Sequence, residues 1–407
     1  MSLESLTLYQ LELTLDIRET EVFFERLATT DFEVLAAEYG IRGILDDRLF
    51  DCSLESPQEL ELLKNTPASE LGTCRYRLKD VQQDDTDYVR ILEAFKKHNV
   101  RYFFYNGGND SMDTCNKISK YMQKVGYECR IIGMPKTIDN DISQTDHCPG
   151  FGSAAKYIAT SMTEISRDNR VYDKSSIVIV EMMGRNAGWL TASSALAGLV
   201  GEGPDLIYLP EVPFSIESFV QDIKQKLLEK PNILVAVSEG LCNEQGRLVS
   251  EYGAAGELQK DAFGHAQLGG LVPVLTRVAK EETGCKVRGI ELSLLQRCAA
   301  HYASQTDIQE AYRVGVEAVA CAEEGITDKM VGFERVPGEK YHCKTVLLPL
   351  EQVANHEKKV PLEWINESRN GILQPFLDYA LPLIQGEATV KTVQGLPRFA
   401  NLKRIFV

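Results

Sequence analysis

Five short runs rich in β-branched and aromatic residues punctuate the chain, and each is followed by a polar loop. They are VRYFFY (Val100 to Tyr105), CRIIGM (Cys129 to Met134), SSIVIVEMM (Ser175 to Met183), DLIYLP (Asp205 to Pro210) and NILVAVSEG (Asn232 to Gly240). Amphipathic stretches fit between them, a rhythm that predicts strand-helix units and an α/β fold with mostly parallel sheets. SAAKYIATSMTEISRD is one such helix, with Ser153 as its expected N-cap and Ala154, Ile158, Met162 and Ile165 on one face. With 407 residues, 44% of them hydrophobic, the chain should divide into about two or three domains.

A net charge of −15 argues against a nucleic-acid or anionic-membrane partner, since Lys and Arg are scattered among acids. The ten cysteines form no C-x-x-C pair, so reduced thiols are expected rather than a disulfide framework or a zinc site. The first residues, MSLESLTLYQLELTLDIRE, carry neither a basic leader nor a long apolar run. A cytoplasmic protein is the expectation.

The candidate chemistry lies where the strands end, the place at which ligands gather in open α/β sheets. In YNGGNDS, Gly107 and Gly108 let backbone N–H groups approach an anion, with Ser111 close behind, although a Gly-Gly pair equally marks a plain turn. Asp110 would repel a phosphate there unless a cation intervenes. PKTIDNDISQTD gathers Asp139, Asp141 and Asp146 behind Lys136. Asp139 could act as a general base, and Asp141 could orient it or hold Mg²⁺; an Asx-rich turn built on Thr137 and Asn140 fits the same residues. Lys136 could meet an anion or be a solvated loop lysine. GFGSAA has dinucleotide-fingerprint spacing but no strand before it, and reads as a closely packed helix start. Arg185 in MMGRNAGW could grip a phosphate or close the strand end with an ion pair. Arg75, Arg77 and Lys79 in CRYRLKD suit an edge strand or a phosphate clamp, and Arg288 and Arg297 in VRGIELSLLQRCAAH carry the same ambiguity. The six histidines are isolated and read as structural or surface residues.

Taken in order, TPASELGTCRY, GGNDSMDT, PKTIDND, GFGSAAKYIATSM, MMGRNAGW and LQRCAAH resemble the phosphofructokinase family, and within it the pyrophosphate-dependent branch. The resemblance implies two Rossmann-like, three-layer α/β domains with the active site in the cleft between them. Their expected extents are 1–145, completed by part of 295–345, for the donor, and 146–294, completed by part of 346–407, for the sugar phosphate. It implies transfer of a phosphoryl group from pyrophosphate to the 1-hydroxyl of fructose 6-phosphate, with Mg²⁺ as cofactor, in a homodimer or homotetramer. Its alternatives are the same reaction with ATP, or a non-catalytic sugar-phosphate-binding subunit.

Carried onto matching positions, the resemblance makes Asp139 the base, within the substrate-binding run Thr137, Ile138 and Asp139. Met183, Gly184 and Arg185 hold the sugar phosphate, Glu239 its hydroxyls and Arg297 the 6-phosphate. Arg288 reaches that phosphate from a neighbouring subunit, and Arg75 neutralises the moving phosphoryl group. Gly107, Gly108, Asp110, Ser111 and Lys136 form the donor site. Asp110 and Lys136 replace small residues of ATP-using relatives and so favour the smaller donor. Asn109 stands where a metal-binding aspartate is common, making Asn109 and Asp141 the candidate metal ligands. Leu294 and Ser176 replace a histidine and an arginine on the sugar phosphate. Met1 to Leu35 contain no glycine, whereas relatives wrap the donor phosphates with a glycine-rich loop there, so lowered activity is expected.

Overall fold

A computed structural model describes residues 5–9, 33–253 and 270–407 of the chain. Alternating apolar residues build two sheets. The first contains β1 (Ser5–Tyr9), β2 (Glu33–Ala37), β3 (Leu49–Asp51), β4 (Val100–Gly107) and β5 (Arg130–Pro135). The second contains β6 (Ser176–Met182), β7 (Leu206–Tyr208), β8 (Asn232–Ser238) and β9 (Lys286–Glu291). The chain then returns to the first sheet with β10 (Lys329–Arg335) and β11 (Cys343–Pro349). Strand order is β11-β10-β5-β4-β1-β2-β3 in the first sheet and β7-β8-β6-β9 in the second. Among the described strands of these two sheets, only the edge strands β3 and β11 pair antiparallel. All five expected strands form, with DLIYLP shortened to three residues.

Period-2 alternation sends side chains to opposite faces of each sheet. In the first sheet Phe103, Tyr105, Ile131 and Met330 join one core, while Phe104, Ile132, Met134 and Val331 join another. Helices α1 (Thr86–Lys97) and α2 (Asn109–Val125) cover the former face through Ile91, Phe95, Cys115 and Ile118. In the second sheet Val178, Val180 and Leu234 pack beneath helix α3 (Phe151–Asn169). Ile177, Ile179 and Val235 face α4 (Ile216–Glu229) and α5 (Leu271–Thr283). Helix α6 (Gln305–Glu323) closes the second face of the first sheet with Val314, Ala318 and Ala322. Each sheet is therefore the middle of three layers.

One capping expectation needs correction. Helix α3 begins at Phe151, so Ser153 lies inside its first turn, fully buried, and its hydroxyl accepts from the Ser304 backbone at 3.1 Å. The free N–H groups are capped in trans instead, because Asp307 of α6 accepts from Gly150 N at 3.0 Å and Ser153 N at 2.8 Å. A carboxylate at a helix start satisfies orphan donors and favours the dipole. Asp307→Ala should lower unfolding free energy by about 2 kcal/mol, read from a shifted guanidinium midpoint.

Candidate active site

Parallel β4 and β5 end side by side, Gly107 opposite Pro135, so the loops that leave them start together. Lys136 N donates to Gly107 O at 2.9 Å, and Lys136 itself is buried. Gly107 has no room for a side chain: a Cβ there would lie 2.2 Å from the Ser111 hydroxyl. Asp110 follows in the first turn of α2, exposed to solvent. Asn109 is spent elsewhere, its oxygen accepting from Asn355 N and its amine donating to His356 O, each at 3.0 Å.

The loop after β5 reverses at Asn140, whose backbone is left-handed at φ 54°. Asparagine tolerates that conformation, and here its buried side chain also fixes the loop. Its oxygen accepts from Cys148 N at 2.9 Å and its amine donates to Tyr379 at 2.8 Å. Upstream, the Thr137 hydroxyl accepts from Asp139 N at 3.1 Å. The turn reading of PKTIDND is thus seen in the structure, and Asp139 lies within that turn. Ile138 differs from its expected role, because its side chain packs into the core under α3.

Three further loops meet Asp139 from the second sheet. β6 ends at Met182, and Gly184 takes φ 120°, where a Cβ would also come within 2.5 Å of Ala187 O. Glu239 follows β8, accepts from Gly184 N at 3.3 Å and lies 3.9 Å from Arg185. Met183 N donates to buried Gln296 at 3.3 Å, next to Arg297. Burial, then Glu239, pushes the Asp139 carboxyl up to about 6, while Arg185, Arg297 and Lys136 pull it back. Those four residues thus act on one carboxylate from four different loops. Burial and the charge of Asp139 likewise raise Asp141 to about 7.

Other expected residues have different settings. Arg75 is exposed on a stretch without regular structure, so Cys74 to Asp80 form no edge strand. Arg288 sits on edge strand β9 with Asp168 at 3.4 Å and the Tyr172 hydroxyl at 3.0 Å. Ser176 starts β6, at the opposite end from Met183, bonded to Asn169 and Asn232. The glycine-free stretch from residue 10 to residue 32 lies outside the described residues.

Asp146 has a different task from its two neighbours. It pairs with Arg335 at 3.0 Å and with His147 at 2.8 Å, and the other ring nitrogen of His147 meets Glu310 at 2.7 Å. Burial alone would lower the affinity of His147 for its proton, but Glu310 and Asp146 raise it well above the usual value. Burial works against ionised Asp146 and Glu310 too, yet His147 outweighs it and both are lowered, Asp146 to about 2. Sequence reasoning missed Glu310 and Arg335, which lie over 160 residues from the loop they secure.

The trio's contribution to stability has a defined pH window. The carboxylates contribute above their ordinary values and lose that contribution as pH falls through their lowered ones. The imidazolium contributes fully below about 6.5 and loses its contribution as pH rises through its raised value. His147→Gln should therefore destabilise most between about pH 4.5 and 6.5, by about 3 kcal/mol, with a smaller difference in stronger acid. Denaturant titrations of both proteins across pH check this.

Residues 20–322 match the family described as Phosphofructokinase. A pyrophosphate–fructose 6-phosphate 1-phosphotransferase of Xanthomonas campestris is 44% identical over 382 residues, 92% of this chain and 90% of the relative. One of the same description from Halomonas elongata is 42% identical over 376 residues, 91% and 88% of the two chains. A crystal structure of the pyrophosphate-dependent phosphofructokinase from Marinobacter aquaeolei superposes with a TM-score of 0.87 at 35% identity, covering 100% of this chain and 97% of that one.

Proposed function

Because this chain belongs to the phosphofructokinase family, we propose that it moves a phosphoryl group from pyrophosphate to the 1-hydroxyl of fructose 6-phosphate, reversibly. The observation that carries this reading is the convergence of Lys136, Arg185, Arg297 and Glu239 on Asp139. A carboxyl held near 6 by its surroundings is matched to proton transfer at neutral pH, and three cations around it suit two anionic substrates.

In this assignment Asp139 takes the proton of the 1-hydroxyl as that oxygen attacks one phosphorus of pyrophosphate, the bridging P–O bond breaks, and Lys136 meets the phosphate that leaves. Met183, Gly184, Arg185 and Arg297 hold the sugar phosphate, and Glu239 accepts from sugar hydroxyls. Thr137 sets the backbone that presents the base. Arg75 screens the moving group. The donor belongs to the half built on the seven-stranded sheet and the sugar to the half built on the four-stranded one. Phosphoryl transfer asks mainly for alignment and charge stabilisation, which these groups supply.

A half-buried carboxylate raised by burial and by the neighbouring charge of Asp139 suits a hard divalent ion, so Asp141 fits Mg²⁺. Asn109 does not fit, because its amide is engaged at both ends. When bound, the ion neutralises phosphate charge. The exposed carboxylate of Asp110 beside Gly108 disfavours a bulkier polyphosphate and so favours pyrophosphate over ATP. Arg288, half-buried on an edge strand and held by Asp168 and Tyr172, lies where it would serve a second copy in a homodimer or homotetramer. No described helix is long and apolar enough to cross a membrane; the substrates belong to the cytoplasm.

Progress curves with pyrophosphate and with ATP test the reading: turnover with pyrophosphate alone is expected, and appreciable ATP turnover contradicts it. Asp110→Gly should admit ATP measurably. Asp139→Asn should lower kcat by about 10²- to 10⁴-fold at nearly constant KM. Since the base works ionised, wild-type kcat/KM should fall as pH drops through about 6.

A further inference from the structure

The segment from Asn355 to Val360 carries no motif, yet it touches α2, the loop of Asp139 and the loop of Arg185. Asn355 donates its backbone N–H to Asn109 and its side-chain amine to Asp113 at 2.8 Å, both on α2. Glu357 accepts from Asn186 at 2.7 Å, one residue beyond Arg185, and pairs by a β-bridge with Ile142. Val360 N donates to Glu211 at 3.0 Å, and the same oxygen accepts from Gly188 N at 2.8 Å. The strap therefore binds the donor helix, the loop of Asp139 and the loop of Arg185 at once.

Lys358 is its centre. The ammonium donates to the carbonyl oxygens of Asp146 at 2.7 Å and Thr145 at 3.2 Å, and lies 3.5 Å from the Asn140 oxygen. It stands 5.0 Å above the Trp189 ring, whose indole N–H donates to Lys358 O at 2.9 Å. The backbone of Lys358 also donates to Asp141 O at 2.7 Å. Lys358 thus holds the loop at Asn140, Thr145 and Asp146 through its side chain and at Asp141 through its backbone.

We propose that Lys358 is a positioning residue for phosphoryl transfer, holding the Asn140–Asp146 loop so that Asp139 stays aimed at the acceptor hydroxyl. This rests on the assignment of Asp139 as the base. Removing the ammonium strips Thr145 O of its donor and leaves Asp146 O with the Tyr379 hydroxyl alone, and the loop relaxes around Asn140. Misplacement of a base by about 1 Å costs on the order of 100-fold in rate. Substrate binding, which depends on other loops, is left largely intact.

The test compares wild type, Lys358→Met, Lys358→Arg and Glu357→Ala in the full chain. Lys358→Met should lose about 100-fold in kcat while KM for fructose 6-phosphate and its calorimetric affinity change less than about threefold. Lys358→Arg, which can still donate to both carbonyls, should recover at least tenfold of that loss. Hydrogen exchange should accelerate at residues 139–147 of Lys358→Met, with β6 and β8 protected as before. An unchanged kcat, or kcat and sugar-phosphate affinity falling together, overturns the proposal. If Lys358→Met does not fold, exposed Glu357→Ala decides: about fivefold lower kcat at constant KM supports the strap, and wild-type kcat overturns it. Should wild type itself lack activity, the functional assignment fails, and exchange at 139–147 alone judges the strap, unchanged protection refuting it.

Discussion

The imidazolium of His147, clamped between Asp146 and Glu310, fixes the loop on which the chemistry depends. That loop leaves β5 at the end of the first sheet and enters α3 beneath the second, so it is the hinge between the two cores. His147 stacks on Phe333 of β10 with centroids 4.8 Å apart, while Arg335 of the same strand holds Asp146. Asp307 then receives the start of α3. Buried ionic groups contribute little net stability, but they tolerate few alternative geometries. Here they fix where a strand-end loop must lie.

From that fixed position the electrostatics of the site follow. Asp139 cannot be fully solvated, and Glu239 opposes its ionisation, so the loop holds an acid in tension with its surroundings. Three cations from separate loops offset that cost only in part, which leaves the site prepared for more positive charge or for a proton. In the proposed reaction phosphorylated ligands would meet the cations and a hydroxyl would meet the carboxylate. The same arrangement that makes the loop costly to bury makes it reactive.

Much of this was legible in the residues themselves. The strands could be read because burial on two faces writes continuous apolar runs, and the loops of Lys136, Arg185 and Glu239 could be placed together because parallel strands end on one side. The sugar phosphate and the donor came from resemblance, later matched by the relatives. What escaped was held by partners remote in sequence. Ser153 looked like a cap, but Asp307 caps α3 from another helix. Asn109 looked like a metal ligand, but its amide binds the backbone of Asn355 and His356. Ile138 looked like a substrate contact and is core. Lys358 gave no signal at all, since a lysine among charged neighbours reads as solvated until a fold places carbonyls around it.

A crystal structure of the chain with fructose 6-phosphate, imidodiphosphate and Mg²⁺ tests the central claim most directly. The account predicts the 1-hydroxyl oxygen within about 3 Å of the Asp139 carboxylate, with the 6-phosphate against Arg185 and Arg297 and the diphosphate reaching Lys136. A sugar phosphate bound away from Asp139, with Lys136 contacting no phosphate, would contradict it.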